Sequence, residues 1–183
     1  MERNHHLLAL RGLLLAGFTA LSLGCQSSRA YQIQYEPTIE QLTAESEEIC
    51  LKQTLYFFSR KPCISIKGEK DNTSGVVQYY FRYEIGTFDV DLPLGTSLKL
   101  GDVWYNLKKS GTNYTDTISI SSFLGPEILP ALASASKIEV SYTNRSRTEN
   151  YILTESQSNR LKEDFVKIQR LLESEKKMNI LKK

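Results

Sequence analysis

The sequence predicts a mainly-β (α+β) fold: one antiparallel β-sandwich-like or barrel-like domain with a short internal helix and a C-terminal amphipathic helix. Three observations predict it. Val77, Tyr79, Phe81, Tyr83 and Ile85 alternate with Gln78, Tyr80, Arg82 and Glu84, the period-two pattern of a half-buried strand. Turn residues then recur between short β-rich runs, notably Gly101-Asp102 and the Asn-Arg-Ser-Arg-Thr stretch 144–148. Near the end, Leu161, Phe165, Ile168 and Leu172 are spaced four, three and four apart, which lines one face of a helix.

Along the chain, Tyr31 to Tyr35 alternates aromatic or aliphatic with Gln and predicts a first strand. Thr38 with Gln41 three residues later has the form of a capping box and predicts a helix over 39–48. The stretch 49–58 is β-rich, and Cys63-Ile64-Ser65-Ile66 alternates as a strand. Turn formers crowd 68–75 and predict a loop there. After the long strand over 76–85, Phe88, Val90 and Leu92 fall on one side, with Asp89 and Asp91 on the other. Two short strands should flank Gly101-Asp102, Lys108 to Asn113 should turn, and 114–120 should be the next strand. Pro126, Ile128, Leu129 and Leu132 predict the short helix. The runs 137–143 and 149–154 predict a hairpin, and Thr154 with Gln157 opens the last helix.

Ahead of all this lies a different kind of segment. Arg3 and Arg11 make the start mildly basic, and thirteen residues from Gly12 to Gly24 carry no charge. A bilayer core needs roughly 20 apolar residues, so this run is too short to span and has the form of a secretory h-region. Its end, Leu21-Ser22-Leu23-Gly24-Cys25, resembles the lipobox of bacterial lipoproteins, in which cleavage precedes a cysteine that receives a diacylglyceryl group. It departs from the usual pattern at Ser22 and Leu23. The resemblance implies cleavage after Gly24, acyl chains on Cys25 and a place in the bacterial cell envelope. Gln26 after the cysteine favours the outer over the inner membrane. The predicted organisation is a signal peptide over 1–24, an anchor and tether over 25–30, a globular β-rich domain over 31–175, and a frayed basic tail over 176–183.

Composition limits the chemistry. The chain has 183 residues and a formal net charge of +2, too little for the electrostatic footprint of a nucleic-acid binder. Its two histidines, His5 and His6, lie in the segment to be removed. Without imidazole there is no Ser-His-Asp or Cys-His nucleophile and no His-dependent zinc site, and neither cofactor nor metal is expected. With Cys25 acylated, Cys50 and Cys63 remain as an even pair, which in an oxidising compartment suggests a disulfide.

Candidate binding residues are Tyr80 and Tyr105, aromatic groups expected on an exposed sheet face, and Arg145 and Arg147 at a hairpin tip. Glu84, Asp89 and Asp91 are carboxylates on the polar side of predicted strands, where a solvated face competes with an acid–base role. The strand with Cys50, the run Asp91-Leu92-Pro93-Leu94-Gly95, the short helix before Lys137, a final strand and a closing helix are similar in order to the invasion-associated locus B family of secreted bacterial proteins. The similarity covers roughly 48–170. The cysteine pair that the family commonly carries in its middle portion is absent. The resemblance implies a sandwich-like envelope protein without defined catalytic residues.

The function expected is that of a non-enzymatic, membrane-anchored envelope lipoprotein that binds another envelope or surface protein or supports an assembly. Two alternatives stand beside it. One is a carboxylate-dependent hydrolase of cell-wall or surface glycan using Glu84, Asp89 and Asp91. The other is a small-ligand or lipid carrier with an apolar pocket between sheet and helix.

Overall fold

A computed structural model describes residues 30–51, 62–86 and 91–180, the side chains of 175–180 excepted. The signal and anchor segment with Gly24 and Cys25, most of the β-rich run 49–58, Phe88, Asp89 and Val90, and residues 181–183 lie outside the described residues.

Eleven strands and two helices are described. The larger sheet contains β1 (Gln32–Glu36), β2 (Gln41–Glu45), β3 (Ile49–Cys50), β4 (Cys63–Asp71), β5 (Val77–Gly86), β8 (Lys108–Tyr114) and β9 (Thr117–Leu124). Its order is β1-β2-β4-β5-β9-β8, with β3 pairing β4 beyond the end of β2. The smaller sheet has the order β11-β10-β6-β7, from β6 (Pro93–Leu100), β7 (Val103–Asn106), β10 (Ile138–Asn144) and β11 (Thr148–Ile152). All pairings are antiparallel. The ends β1 and β8 do not meet, so the fold is sandwich-like and not a closed barrel. Helix α1 (Ile128–Ser134) is short, and α2 (Glu155–Ile180) closes the fold.

The inner face of the larger sheet is continuous in register. Phe81 lies between Ile66 and Ser122, and Tyr83 lies between Ile64 and Ile120. Helix α2 covers the β2–β4 side of this face, and the smaller sheet covers the β9 side. On the helix the predicted stripe is the buried one: Leu161, Phe165, Ile168 and Leu172 are each at most 1% exposed. Gly68 permits the close approach. A Cβ there would sit 2.6 Å from Leu172 Cδ1 and 2.7 Å from Ile168 Cγ2. The α2 capping box forms as expected, with the Gln157 amide N–H donating to Thr154 Oγ1 at 3.2 Å and the Thr154 N–H donating to Gln157 Oε1 at 2.9 Å. The Gly101 hairpin, the β10–β11 hairpin and the short helix also form where the sequence predicts them. Pro130 falls in the first turn of α1, where a missing N–H costs nothing.

Three expectations are corrected. Residues 39–48 are not a helix. The Thr38 hydroxyl bonds Glu36 Oε1 at 2.5 Å, and Glu40 takes a left-handed φ of 49° to close a β1–β2 turn. Leu42 and Ala44 then alternate inward as β2, so burial at period two outweighs a cap signature. The predicted loop 68–75 is strand as far as Asp71, whose Oδ1 accepts the Thr73 and Ser74 N–H groups at 2.7 and 3.1 Å. That turn ends at Gly75, with φ 73°. Lys108 to Asn113 is not a turn but most of the edge strand β8. Its ladder to β9 survives a bulge between Lys109 and Gly111, and the chain reverses later, at Thr115. Leu92, on the side opposite Asp91, is exposed.

Candidate functional site

The outer face of the larger sheet is polar. Arg82, central on β5, pairs with Glu45 on β2, and its Nη2 donates to Ser119 Oγ on β9 at 2.7 Å. Ser65 donates to Glu45 Oε1 at 3.0 Å, and Lys67 lies 2.6 Å from Glu69. Ser119 and Ser65 sit on strands next to their partners, Glu69 lies two residues from Lys67 on the same face, and Arg82 reaches Glu45 diagonally across β4, so the strand register assembles this ladder. Glu84 belongs to it, accepting the Thr117 hydroxyl at 2.5 Å. Asp91 is half-buried just before β6, and Asp89 lies outside the described residues. Neither Glu84 nor Asp91 lines either of the two surface depressions described next.

The first depression surrounds Tyr80. Tyr80 and Phe123, opposed on β5 and β9, meet edge-to-face at 6.2 Å, and with Gln78, Lys108, Lys109 and Ser110 they line a shelf of about 330 Å³. The Tyr80 hydroxyl donates to Gln78 Oε1 at 2.7 Å. Partial burial, then the Glu69 carboxylate, push its ionisation above the usual phenol range, so it stays a neutral donor and acceptor. Lys109 reaches the Pro93 carbonyl at 3.1 Å. The shelf can stack a flat or apolar group and hold an anionic one beside it. Phe123 and the two lysines escaped the sequence reading because Lys108 and Lys109 were assigned to a turn. Only the opposed register of β8, β9 and β5 brings them to Tyr80.

Tyr105 is corrected as an exposed candidate. It faces Leu98 on the inner side of the smaller sheet and packs against the core. Its neighbour Trp104 takes the outer position, 45% exposed, with Lys99 Nζ 5.8 Å from the ring centre. Arg145 and Arg147 are at the β10–β11 tip as expected, exposed, with Arg147 paired to Glu149 at 2.8 Å. Asn144 Oδ1 shapes that tip by accepting the Ser146 and Arg147 N–H groups at 3.0 and 2.8 Å. These arginines and the Tyr80 shelf lie on different sheets and do not form one site.

Between the sheets sits a tyrosine cluster that alternation alone did not reveal. Tyr83 and Tyr142 stack at 4.8 Å with an interplanar angle of 13°, both fully buried. Tyr151 donates to Glu149 at the edge of the same layer. Burial first, and then the neighbouring Tyr151, push the Tyr83 phenol far up, so it is neutral at any physiological pH.

The second depression, about 470 Å³, lies along α2 and is lined by Lys162, Lys167, Arg170, Val166 and Tyr31 among others. Tyr31 donates to the buried Asp164 at 2.8 Å, tying the start of the domain to this helix. Arg160 pairs with Glu47 at 3.1 Å nearby.

Cys50 and Cys63 form a disulfide across the β3–β4 pair, as their even number suggested. Glu48 stands beside them, the one group of potential metal ligands among the described residues. With both sulfurs in the disulfide, the set has too few donors for a metal. No helix among the described residues is long and apolar enough to cross a membrane.

No family model matches the chain, and no curated protein does. Among solved structures it is similar to the invasion associated protein B of Bartonella henselae, with 10% identity and a TM-score of 0.41. The match covers 79% of this chain and 97% of that one.

Proposed function

We propose that this chain is a non-enzymatic lipoprotein of a bacterial envelope, held by acyl chains on Cys25, whose sandwich binds another protein. The observation that carries the binding part is where the apolar surface lies. Both inner faces are filled: Leu42, Ala44, Tyr79 and Phe81 with α2 on one side, Tyr83, Ile120, Leu98 and Tyr142 on the other. Apolar side chains instead reach solvent on strands and turns, as Ile33, Tyr35, Leu94, Val103, Trp104 and Ile152 do. Exposed apolar surface at strand edges suits a protein partner, whereas a carrier keeps a cavity inside. The anchor half of the reading rests on Gly12 to Cys25 and on the absence of histidine after His6.

Two measurements test it. Mass spectrometry of the mature N-terminus should find a diacylglyceryl-modified Cys25, and an intact Met1 would remove the anchor. Cross-linking in intact envelopes should capture a discrete partner, and its loss on Trp104→Ala or Tyr80→Ala would place the surface. Hydrolysis of purified cell-wall glycan that disappears in Glu84→Gln would replace this reading with the enzymatic one.

A further inference from the structure

The two edges of the larger sheet are built differently. β8 is blunted: Lys108 and Lys109 occupy it, and the bulge at Lys109/Gly111 breaks its register. Charged residues and bulges on an edge strand oppose pairing with another chain. β1 has no bulge, and its one charged residue, Glu36, stands at its end. Its five residues, Gln-Ile-Gln-Tyr-Glu, contain no lysine, proline or bulge, pair with β2 in unbroken register, and are all exposed.

Its two faces are also distinct. The Tyr31–Asp164 bond places the odd-numbered side chains of this segment on the helix side of the sheet. Helix α2 packs over β4 and β2, so Ile33 and Tyr35 stay 54% and 52% exposed beside the core residues Ala44 and Leu42. Among the described residues, the apolar inner face therefore continues one strand past its cover, and ends at an open edge.

We infer that β1 pairs with β1 of a second copy of this chain, antiparallel about a two-fold axis at Gln34, joining the two larger sheets edge to edge. The strand is its own complement in that register. Ile33 opposes the partner's Tyr35, Gln34 opposes the partner's Gln34, and Gln32 opposes the partner's Glu36. Apolar meets apolar on one face, neutral or singly charged pairs meet on the other, and no like charges face each other. An isologous contact of this kind closes at two copies, which answers the aggregation hazard of an open edge. Helix α2 leaves Ile33 and Tyr35 exposed, so this face of β1 is open to the approach. With five residues from each chain the contact is small, and the dimer is weak and concentration-dependent.

The inference gives the protein-binding reading a surface and a partner but does not depend on the anchor, so the two fail separately. Sedimentation of the full chain in detergent, over a concentration series, should show a reversible monomer–dimer equilibrium. Gln34→Cys should then form an intermolecular disulfide, whereas Ile33→Cys, facing tyrosine, and Gln32→Cys, facing glutamate, should give no more than the unsubstituted chain. Ile33→Lys should weaken the dimer about tenfold or more, since it breaks two symmetry-related Ile–Tyr pairs. A chain that stays monomeric throughout, or equal cross-linking at positions 33 and 34, overturns the inference. All three positions are exposed, so these variants leave the core untouched.

Discussion

The larger sheet buries one face under two kinds of cover, and the covers solve the same problem differently. On the β2–β4 side, α2 presses an aliphatic and aromatic stripe onto Gly68, Ala44 and Tyr79, and Phe165 meets Tyr79 edge-to-face at 5.4 Å. Small residues there set how close the helix comes. On the β9 side, the smaller sheet brings polar groups into the contact. Thr96 and Ser122 share a buried hydrogen bond at 2.8 Å, and Tyr83 stacks on Tyr142. A helix seals its own backbone hydrogen bonds and can be docked dry. Facing sheets align side chains in pairs, so a polar residue on one sheet can meet its complement on the other. The helical half should therefore be sensitive to volume, and the sheet half to hydrogen-bond pairing.

The largest effect is expected from Phe165→Ala, which should cost about 4 kcal/mol in urea unfolding. A loss within about 1 kcal/mol would show that α2 is an appendage and not a cover. Next comes the strap beneath the start of that helix, where Gln157 Nε2 donates to the Cys50 carbonyl at 3.0 Å. Replacing Cys50 and Cys63 together by Ala should cost about 3 kcal/mol, read as a lowered urea midpoint. Gly68→Ala should cost about 2 kcal/mol because its Cβ has no room. Gly95→Ala, with open space around it, supplies the control.

On the sheet side, Thr96→Val should cost about 1–2 kcal/mol by stranding the Ser122 hydroxyl, and adding Ser122→Ala should recover most of that loss. Equal costs for the single and double variants would break the contrast between the halves. The smallest effect is alkaline. The phenol of Tyr83 is raised in the folded state, so the folded chain holds that proton where the unfolded chain has lost it. Its contribution is fully present below the ordinary phenol value of about 10 and is lost as pH rises above it. Stability measured from pH 8 to 11 should therefore fall only above about pH 10, less steeply in Tyr83→Phe.

Elements with a strong single period were legible in the sequence. β5 and α2 announce themselves because five or four large apolar groups must all face one way, and that need outweighs local signals. Short elements misled. Thr38 and Gln41 have the chemistry of a helix cap, and Lys108 to Asn113 that of a turn, yet both segments join a sheet whose ladder was not visible locally. The Cys50–Cys63 pair was legible from number, although only the β3–β4 register shows why these two cysteines meet. Tyr80 was identified as a surface aromatic, but its companions Phe123, Lys108 and Lys109 arrive from strands more than twenty residues away in sequence. Tyr105 was assigned to the exposed side, which Trp104 takes instead, because a four-residue strand carries too few alternations to fix its phase.

By itself, the sequence determined the mainly-β class, the closing amphipathic helix with its cap, and the lack of histidine beyond position 6. Each depends on residue type or on a period repeated often enough to override its neighbours. Tertiary structure alone decided that the sheets stay open, that β1 carries an unblunted edge, and which side chains share the Tyr80 shelf. Those outcomes depend on which strand lies beside which, and hydrogen-bonded pairing between distant segments leaves no local mark in the order of residues.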